Sequence, residues 1–306
     1  REGHWKRSEI AADLFEAFRH RFPFQLNWPD RRPIGRAFIA SGAHRSATNP
    51  RGFFGEPRLD ALSEEGRAAF RERALRMART IVNQCRAMDA QGVIVWNIEG
   101  EEHPHPITYI GDPRELPNLA PEMDAVADEF FATIREAGFR VGVCIRPSRI
   151  RRQPQEDGRI RIVHGHWGFD RVAEMSEKIA YAKRRWGATL FYMDTNTHFY
   201  RKRGSDKVEG RIIPAADIIR LAKMHPDVLI IPEFVTPAYR SVVAAYHELR
   251  AHAFGGYTGT PQAALELYPE AFSWIIPNDG DYRGRREELI RSLRRGDLMS
   301  FDAWWG

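Results

Sequence analysis

Seven apolar runs punctuate this 306-residue chain, most without the in–out alternation of a half-exposed strand, and amphipathic stretches separate them. The runs are GRAFIAS (35–41), GVIVWN (92–97), RVGVCI (140–145), TLFYMD (189–194), DVLIIPE (227–233), AFSWIIP (271–277) and DLMSFDAWW (297–305). Strands of this kind are buried on both faces, as in a parallel sheet covered by helices. Between them Phe70, Ala74, Met77, Ile81, Cys85 and Met88 recur at helical spacing. Met123, Val126, Phe130 and Ile134 do the same, where Pro121 suits a helix start and Gly138 its stop. Val172, Met175 and Ile179 mark a third helix. The segments 218–222, 242–249 and 289–293 read as three more, and 8–21 as a helix ahead of the first strand.

Repeated β–α units predict an α/β fold, a (β/α)8 barrel of the TIM type that is complete or one strand short. It would fill a single domain over 1–306 with an N-terminal helical extension. The eighth strand would be FPFQLNW (22–28) or lie past Gly306. An open doubly wound sheet is the rival, but no GxGxxG follows an early strand. The links are asymmetric: helix-to-strand turns are short, whereas 100–120, 147–168 and 196–214 are long and follow strands. In barrels the loops after the strands build the functional face.

A hydrophobic content of 43% supplies a large core, and the net charge of +5 is dispersed rather than gathered in a stripe. That pattern argues against a nucleic-acid partner. No apolar run reaches the ~18 residues of a membrane span, so no membrane partner is expected. Two cysteines, Cys85 and Cys144, make no disulfide framework and leave the compartment unknown. The chain opens Arg1-Glu2-Gly3-His4 without methionine, so the lack of a visible signal segment is no argument about secretion.

Acidic residues stand at strand ends. Asp194 closes the fourth run, Glu99, Glu101 and Glu102 follow the second, Glu233 closes the fifth, Asp279 and Asp281 follow the sixth, and Asp302 lies in the seventh. Gathering carboxylates at one mouth is costly unless they serve chemistry or a metal. Asp281 and Glu102 read as plain surface. On a barrel, a carboxylate pair points to glycoside hydrolysis, in which one attacks the anomeric carbon and the other protonates the leaving oxygen. Trp96, Trp167, Trp274, Trp304 and Trp305 are candidates to stack on sugar rings. Arg146, Arg149, Arg151 and Arg152 follow the third run and Arg201, Lys202 and Arg203 the fourth, either a solvated loop surface or a rim that would attract an anionic glycan.

FYMDTNTH resembles the fourth-strand nucleophile motif of glycoside hydrolase clan D, the α-galactosidase and α-glucosidase group. REAGFRVGVCIRPSRI resembles that clan's third-strand segment, HPDVLIIPEFVTPAYRS its fifth, and SWIIPNDGD the sixth-strand turn with its acid/base. The resemblance spans roughly 90–282. It implies a retaining glycosidase acting on a carbohydrate without a cofactor. Asp194 would be its nucleophile and Asp279 its acid/base, with Trp96, Glu99, Glu101, Arg146, Tyr192, Asn196, His198, Arg240, Trp274 and Asp302 binding substrate. Tyr192 departs from the polar residue that clan often has two positions before the nucleophile. A second resemblance, to the α-amylase clan, puts Asp, Glu and Asp on strands four, five and seven. Asp194, Glu233 and Asp302 fill those places, Asp194 and His198 match its D-x-x-x-H spacing, and Glu233 becomes the acid. Tyr192 again stands where that clan has arginine.

Two other functions fit these residues. His103-x-His105 and His164-x-His166 have the spacing of metal ligands, as in a metal-dependent hydrolase. A sugar-binding protein without turnover would use the same acids and aromatics.

Overall fold

The computed structural model describes residues 10–41, 44–101, 109–156, 160–201, 208–248, 259–277 and 283–304, with the backbone alone at 198–201, 208, 247 and 248. The strands are β1 Ile34–Phe38, β2 Gly92–Trp96, β3 Arg140–Ile145, β4 Arg149–Pro154, β5 Ile160–Gly165, β6 Leu190–Met193, β7 Thr197–Arg201, β8 Val208–Ile212, β9 Leu229–Pro232, β10 Ala245–Glu248, β11 Ser273–Ile276 and β12 Leu298–Trp304. The helices are α1 Ala12–Arg21, α2 Glu64–Ala87, α3 Leu116–Leu119, α4 Pro121–Glu136, α5 Arg171–Trp186, α6 Ala215–Met224, α7 Gln262–Leu267 and α8 Arg286–Arg294.

Eight strands form one sheet in the order β10–β11–β12–β1–β2–β3–β6–β9, with every ladder parallel. The Ala244 N–H donates to the Ile230 carbonyl at 3.2 Å and draws the two edges together. The result is a (β/α)8 barrel with all eight strands. Residues of alternate parity fill two separate cores. Ile94, Trp96, Cys144, Leu190, Tyr192, Leu229, Ile231 and Trp274 pack inside the barrel. Val93, Val95, Val141, Val143, Phe191, Met193 and Ile230 pack outward under the helices. Both faces are dry, which is why the strands show no alternation. Each large side chain so buried contributes about 1.5–3 kcal/mol.

Local signals set the helix ends. Ser63 caps α2 by accepting from the Gly66 N–H at 3.0 Å, and Asp170 caps α5 by accepting from Val172 and Ala173. Gly187 stops α5 with φ +66, a left-handed value that suits glycine. Pro121 opens α4 as its position predicts.

The strand missing from the sequence count is β10, sixth in barrel order, inside the 242–249 segment expected to be a helix. Short apolar runs fit both periods, and here the barrel's open edge decides. The other candidate, 22–28, has no strand geometry. It crosses the floor, where the Trp28 indole donates to Gln91 Oε1 at 2.9 Å. Consequently 273–276 is the seventh barrel strand and 298–304 the eighth, one later than the sequence count. No α-helix links β9 to β10, only a 3-10 turn over Pro237–Ser241. The N-terminal extension approaches that flank: Phe15, Phe18 and Phe24 pack on Leu267, Tyr268 and Ala271, and the Gln25 and Leu26 N–H groups donate to the Ser241 carbonyl.

Candidate active site

The mouth is built at the carboxyl ends of three neighbouring strands. Ile145, Met193 and Pro232 are the last register partners of β3, β6 and β9. The next residue on each is Arg146, Asp194 and Glu233. Their backbones prolong the ladders, with Asp194 N donating to Ile145 O at 2.9 Å and Glu233 N to Met193 O at 3.0 Å. By strand alternation all three side chains follow the inward parity of Cys144, Tyr192 and Ile231. The apolar run therefore delivers Asp194 to the one place where its inward side chain meets the open end of the barrel.

Thr195 joins the two acids. Its Oγ1 donates to Asp194 Oδ2 at 2.8 Å, and its backbone N–H donates to Glu233 Oε2 at 2.8 Å. Thr195 itself sits at φ +44, in the left-handed region. A β-branched residue there is strained, and such strain costs about 1–3 kcal/mol and concentrates at functional sites. Arg146 adds the cation, with Nε 3.2 Å from Asp194 Oδ2. Asn196 fixes the next turn: its Nδ2 donates to Phe234 O at 2.8 Å and its Oδ1 accepts from Phe234 N at 2.7 Å. Behind the wall the buried Lys178 ammonium donates to the carbonyls of Arg146 and Ser148 at 2.8 and 2.6 Å and lies 3.4 Å from Asp112. Its own burial lowers its pKa, while Asp112 pulls it back up.

Tyr109 completes the mouth. Burial pushes its phenol pKa up first, and the nearby acids Asp194, Glu101 and Glu233 push it the same way. Glu101 accepts from Asn97 Nδ2 at 3.2 Å. Asn97 itself turns left-handed, φ +59, at the end of β2. Glu99 is only 2% exposed, and its Oε1 has no hydrogen-bond partner among the described residues. Burial raises its pKa to about 8, with Asp112 adding to the rise.

Several expectations need correction. Trp96 and Trp274 do not stand open for a sugar. They are 3% and 0% exposed and lie nearly parallel, with ring centroids 6.1 Å apart. Tyr192 packs on Trp96 at 5.1 Å and on Tyr246 at 5.4 Å. These rings plug the barrel beneath the acids, the usual fate of inward strand residues. Arg240 lies at the opposite end, where its NH1 reaches Ser273 Oγ, the first residue of β11, at 3.4 Å. Asp302 belongs to the eighth strand and pairs with Arg36 of β1 at 2.7 Å. The arginine rim is largely committed: Arg149 pairs with Glu174 at 3.0 Å, Arg152 with Glu115 at 3.1 Å, and Arg146 with Asp194. His164 spends Nδ1 on Ser148 and Nε2 on Arg146, so it does not present a metal ligand. Among the described residues no group of three metal-ligating side chains occurs. Asp279, Asp281, Glu102, His103, His105, Trp305, Lys202 and Arg203, and the side chains of His198 and Arg201, lie outside the described residues.

Thr195, Tyr109, Tyr246 and the role of His164 escaped the sequence. Thr195 sits between two polar residues in a motif already noted, but nothing in its type announces the left-handed turn. Tyr246 was hidden by the misread strand.

No protein-family model matches the sequence, and no curated protein matches it. The structure is similar to a debranching enzyme from Nostoc punctiforme, with TM-score 0.51, 10% identity, and coverage of 91% of this chain and 75% of that one. It also resembles an α-galactosidase from Thermus thermophilus, with TM-score 0.47, 12% identity, and coverage of 95% and 65%. A maltogenic α-amylase from Thermotoga neapolitana gives TM-score 0.44, 12% identity, and coverage of 88% and 58%. The chain thus spans less than two thirds of the length of the last two. No helix among the described residues is long and apolar enough to cross a membrane. The match to the debranching enzyme, at 10% identity, is one of fold: the chain shares its barrel architecture.

Proposed function

We propose that the protein is a retaining glycoside hydrolase with Asp194 as nucleophile and Glu233 as acid/base. The observation that carries this is the pair of carboxylates at matched register on adjacent strands, both bonded to Thr195, with Arg146 on Asp194. Neighbouring strands lie ~4.8 Å apart, so inward side chains leaving the same register stand near the ~5 Å separation of retaining enzymes. Arg146 lies against the Asp194 carboxylate, the group that would attack the anomeric carbon. Glu233 in its acid form gives a proton to the departing oxygen, then takes one from the water that frees the sugar. When Asp194 is released as a carboxylate, Arg146 and the Thr195 hydroxyl receive its returning charge.

The corrected strand count supports Glu233 over the acid/base first expected. Asp194, Glu233 and Asp279 now follow strands four, five and seven, the α-amylase-like order, and Asp302 falls outside it. The arginine missing at Tyr192 is replaced by Arg146, which reaches the nucleophile from the neighbouring strand. Asp279 takes the third place, and its role as acid/base is the alternative that mutation decides.

The test is a screen of aryl glycosides and polysaccharides with wild type and Asp194→Asn, followed by trapping with a slow 2-fluoro glycoside. A glycosyl adduct on the peptide that holds Asp194 is expected. An adduct on another carboxylate, or full activity in Asp194→Asn, overturns the assignment.

A further inference from the structure

The β4–β5 hairpin departs from the plain barrel plan: it is inserted between β3 and α5. Its inner face carries Ile150, Ile160 and Ile162, which pack on Ile110 and Leu119, and Arg149 and Arg152 tie its outer strand to Glu174 and Glu115. The hairpin is thus braced against the barrel wall. What it holds at the mouth is one imidazole, His164, opposite Ile150 in the ladder.

His164 Nε2 lies 3.1 Å from Arg146 NH1, and His164 Nδ1 lies 2.6 Å from Ser148 Oγ. A guanidinium has only donors. Nε2 must therefore accept, and the ring proton sits on Nδ1, donating to Ser148. The same NH1 donates to the Tyr109 carbonyl at 3.0 Å. With NH1 held from both sides, the planar fork of Arg146 has its Nε edge turned to Asp194 Oδ2 at 3.2 Å. Lys178 fixes the backbone on both sides of Pro147 through the Arg146 and Ser148 carbonyls. Both ends of the relay are thereby anchored.

We infer that His164, as the neutral Nδ1–H tautomer, is a positioning residue that orients Arg146 toward Asp194. The inference rests on reading Asp194 as the nucleophile only for its effect on rate. A protonated or Nε2–H ring would offer a donor to a donor and turn the guanidinium away. This role also explains why an H-x-H sequence at the mouth is not a metal site: its first histidine faces a cation.

Nitrogen-15 NMR of histidine-labelled wild type decides the tautomer without any substrate or variant. A protonated Nδ1 and a bare Nε2 on His164 are expected at neutral pH; an Nε2–H tautomer or an imidazolium overturns the inference. The second readout is the Arg146 Nε–H resonance and its exchange protection. His164→Gln places an acceptor where Nε2 stood and should keep that protection, whereas His164→Asn and His164→Leu should lose it. Equal protection in all three overturns the role. With an active glycoside, Asn and Leu at 164 should lower kcat by about 10- to 100-fold, the scale of one hydrogen bond to a charged group, with KM within about threefold. Glutamine should restore most of it. A wild type that turns over no glycoside would remove the proposed activity, and the two NMR readouts would still decide the positioning. Thermal melting identifies a variant that fails to fold, in which case the wild-type tautomer stands as the deciding result.

Discussion

The floor and the mouth of the barrel each bury a carboxylate and an arginine, and they use them differently. At the floor Asp297 accepts from the Thr260 N–H at 3.0 Å, Thr260 Oγ1 at 2.5 Å, the Ser273 N–H at 2.7 Å and Ser292 Oγ at 2.6 Å. Gly259 makes room for this wrap: at φ +83, a Cβ there would stand 2.3 Å from Asp297 Oδ2. Arg240 sits nearby, and burial pulls its pKa down to about 10, against the pull of Asp297. At the mouth Asp194 and Glu233 instead share one threonine, and Arg146 stands on Asp194. Donors that converge on one carboxylate make a tie between loops. Two carboxylates joined through one residue at an open end stand where their charge can serve chemistry.

The comparison is broken most directly at Asp194. Asp194→Asn should lose on the order of 10³-fold or more in kcat/KM with melting nearly unchanged. The matching floor change, Asp297→Asn, should leave the rate of the folded fraction intact. Near-normal turnover in a well-folded Asp194→Asn protein ends the distinction.

Glu233 sharpens it next. Glu233→Ala should lose about 10²- to 10³-fold on natural glycosides but far less on an activated aryl glycoside, with azide restoring rate. If Asp279→Ala shows this pattern and Glu233→Ala does not, the acid/base role moves to Asp279.

The floor has its own test in stability. Asp297→Ala strands the Thr260 and Ser273 N–H groups and the Ser292 hydroxyl, and urea unfolding should show a loss of about 3–5 kcal/mol. A loss under about 1 kcal/mol, within the range of ordinary surface changes, would mean the wrap is not a tie.

The smallest effect concerns Glu99, a mouth-side acid without the floor's donors. Its folded pKa of about 8 lies above the ordinary 4.5, so the fold favours its protonated form. That contribution is complete below about pH 4.5 and is lost as pH rises through about 8. Wild-type stability should therefore fall across this window. Glu99→Gln should flatten the slope and gain on the order of 2 kcal/mol at the upper end, local opening of the loop limiting the gain. A slope identical in both proteins would show that Glu99 is hydrated and ionised throughout.

The sequence named Asp194, Glu233, Arg146 and Asn196, and the structure brings these four together. It also named Trp96, Trp274 and Arg240, which belong to the barrel plug and the floor. An aromatic ring at a strand end has the same sequence signature whether it faces a ligand or another ring. Arg240 is a candidate only through the likeness of HPDVLIIPEFVTPAYRS to a fifth-strand segment, and over the seven residues after Glu233 the chain turns back to the floor.

Local pattern alone determined seven buried, helix-separated strands, the helix start at Pro121 and the delivery of Asp194 to a strand end, because burial on both faces and helix-end chemistry are written within a few residues of themselves. The strand at 245–248 was decided by the vacancy between β9 and β11, since a four-residue apolar segment has no period of its own. The left-handed Thr195, the reach of Arg146 to its neighbour's carboxylate and the tautomer of His164 were decided only in three dimensions. Each depends on what a different strand or hairpin places opposite, and no spacing within one segment carries that information.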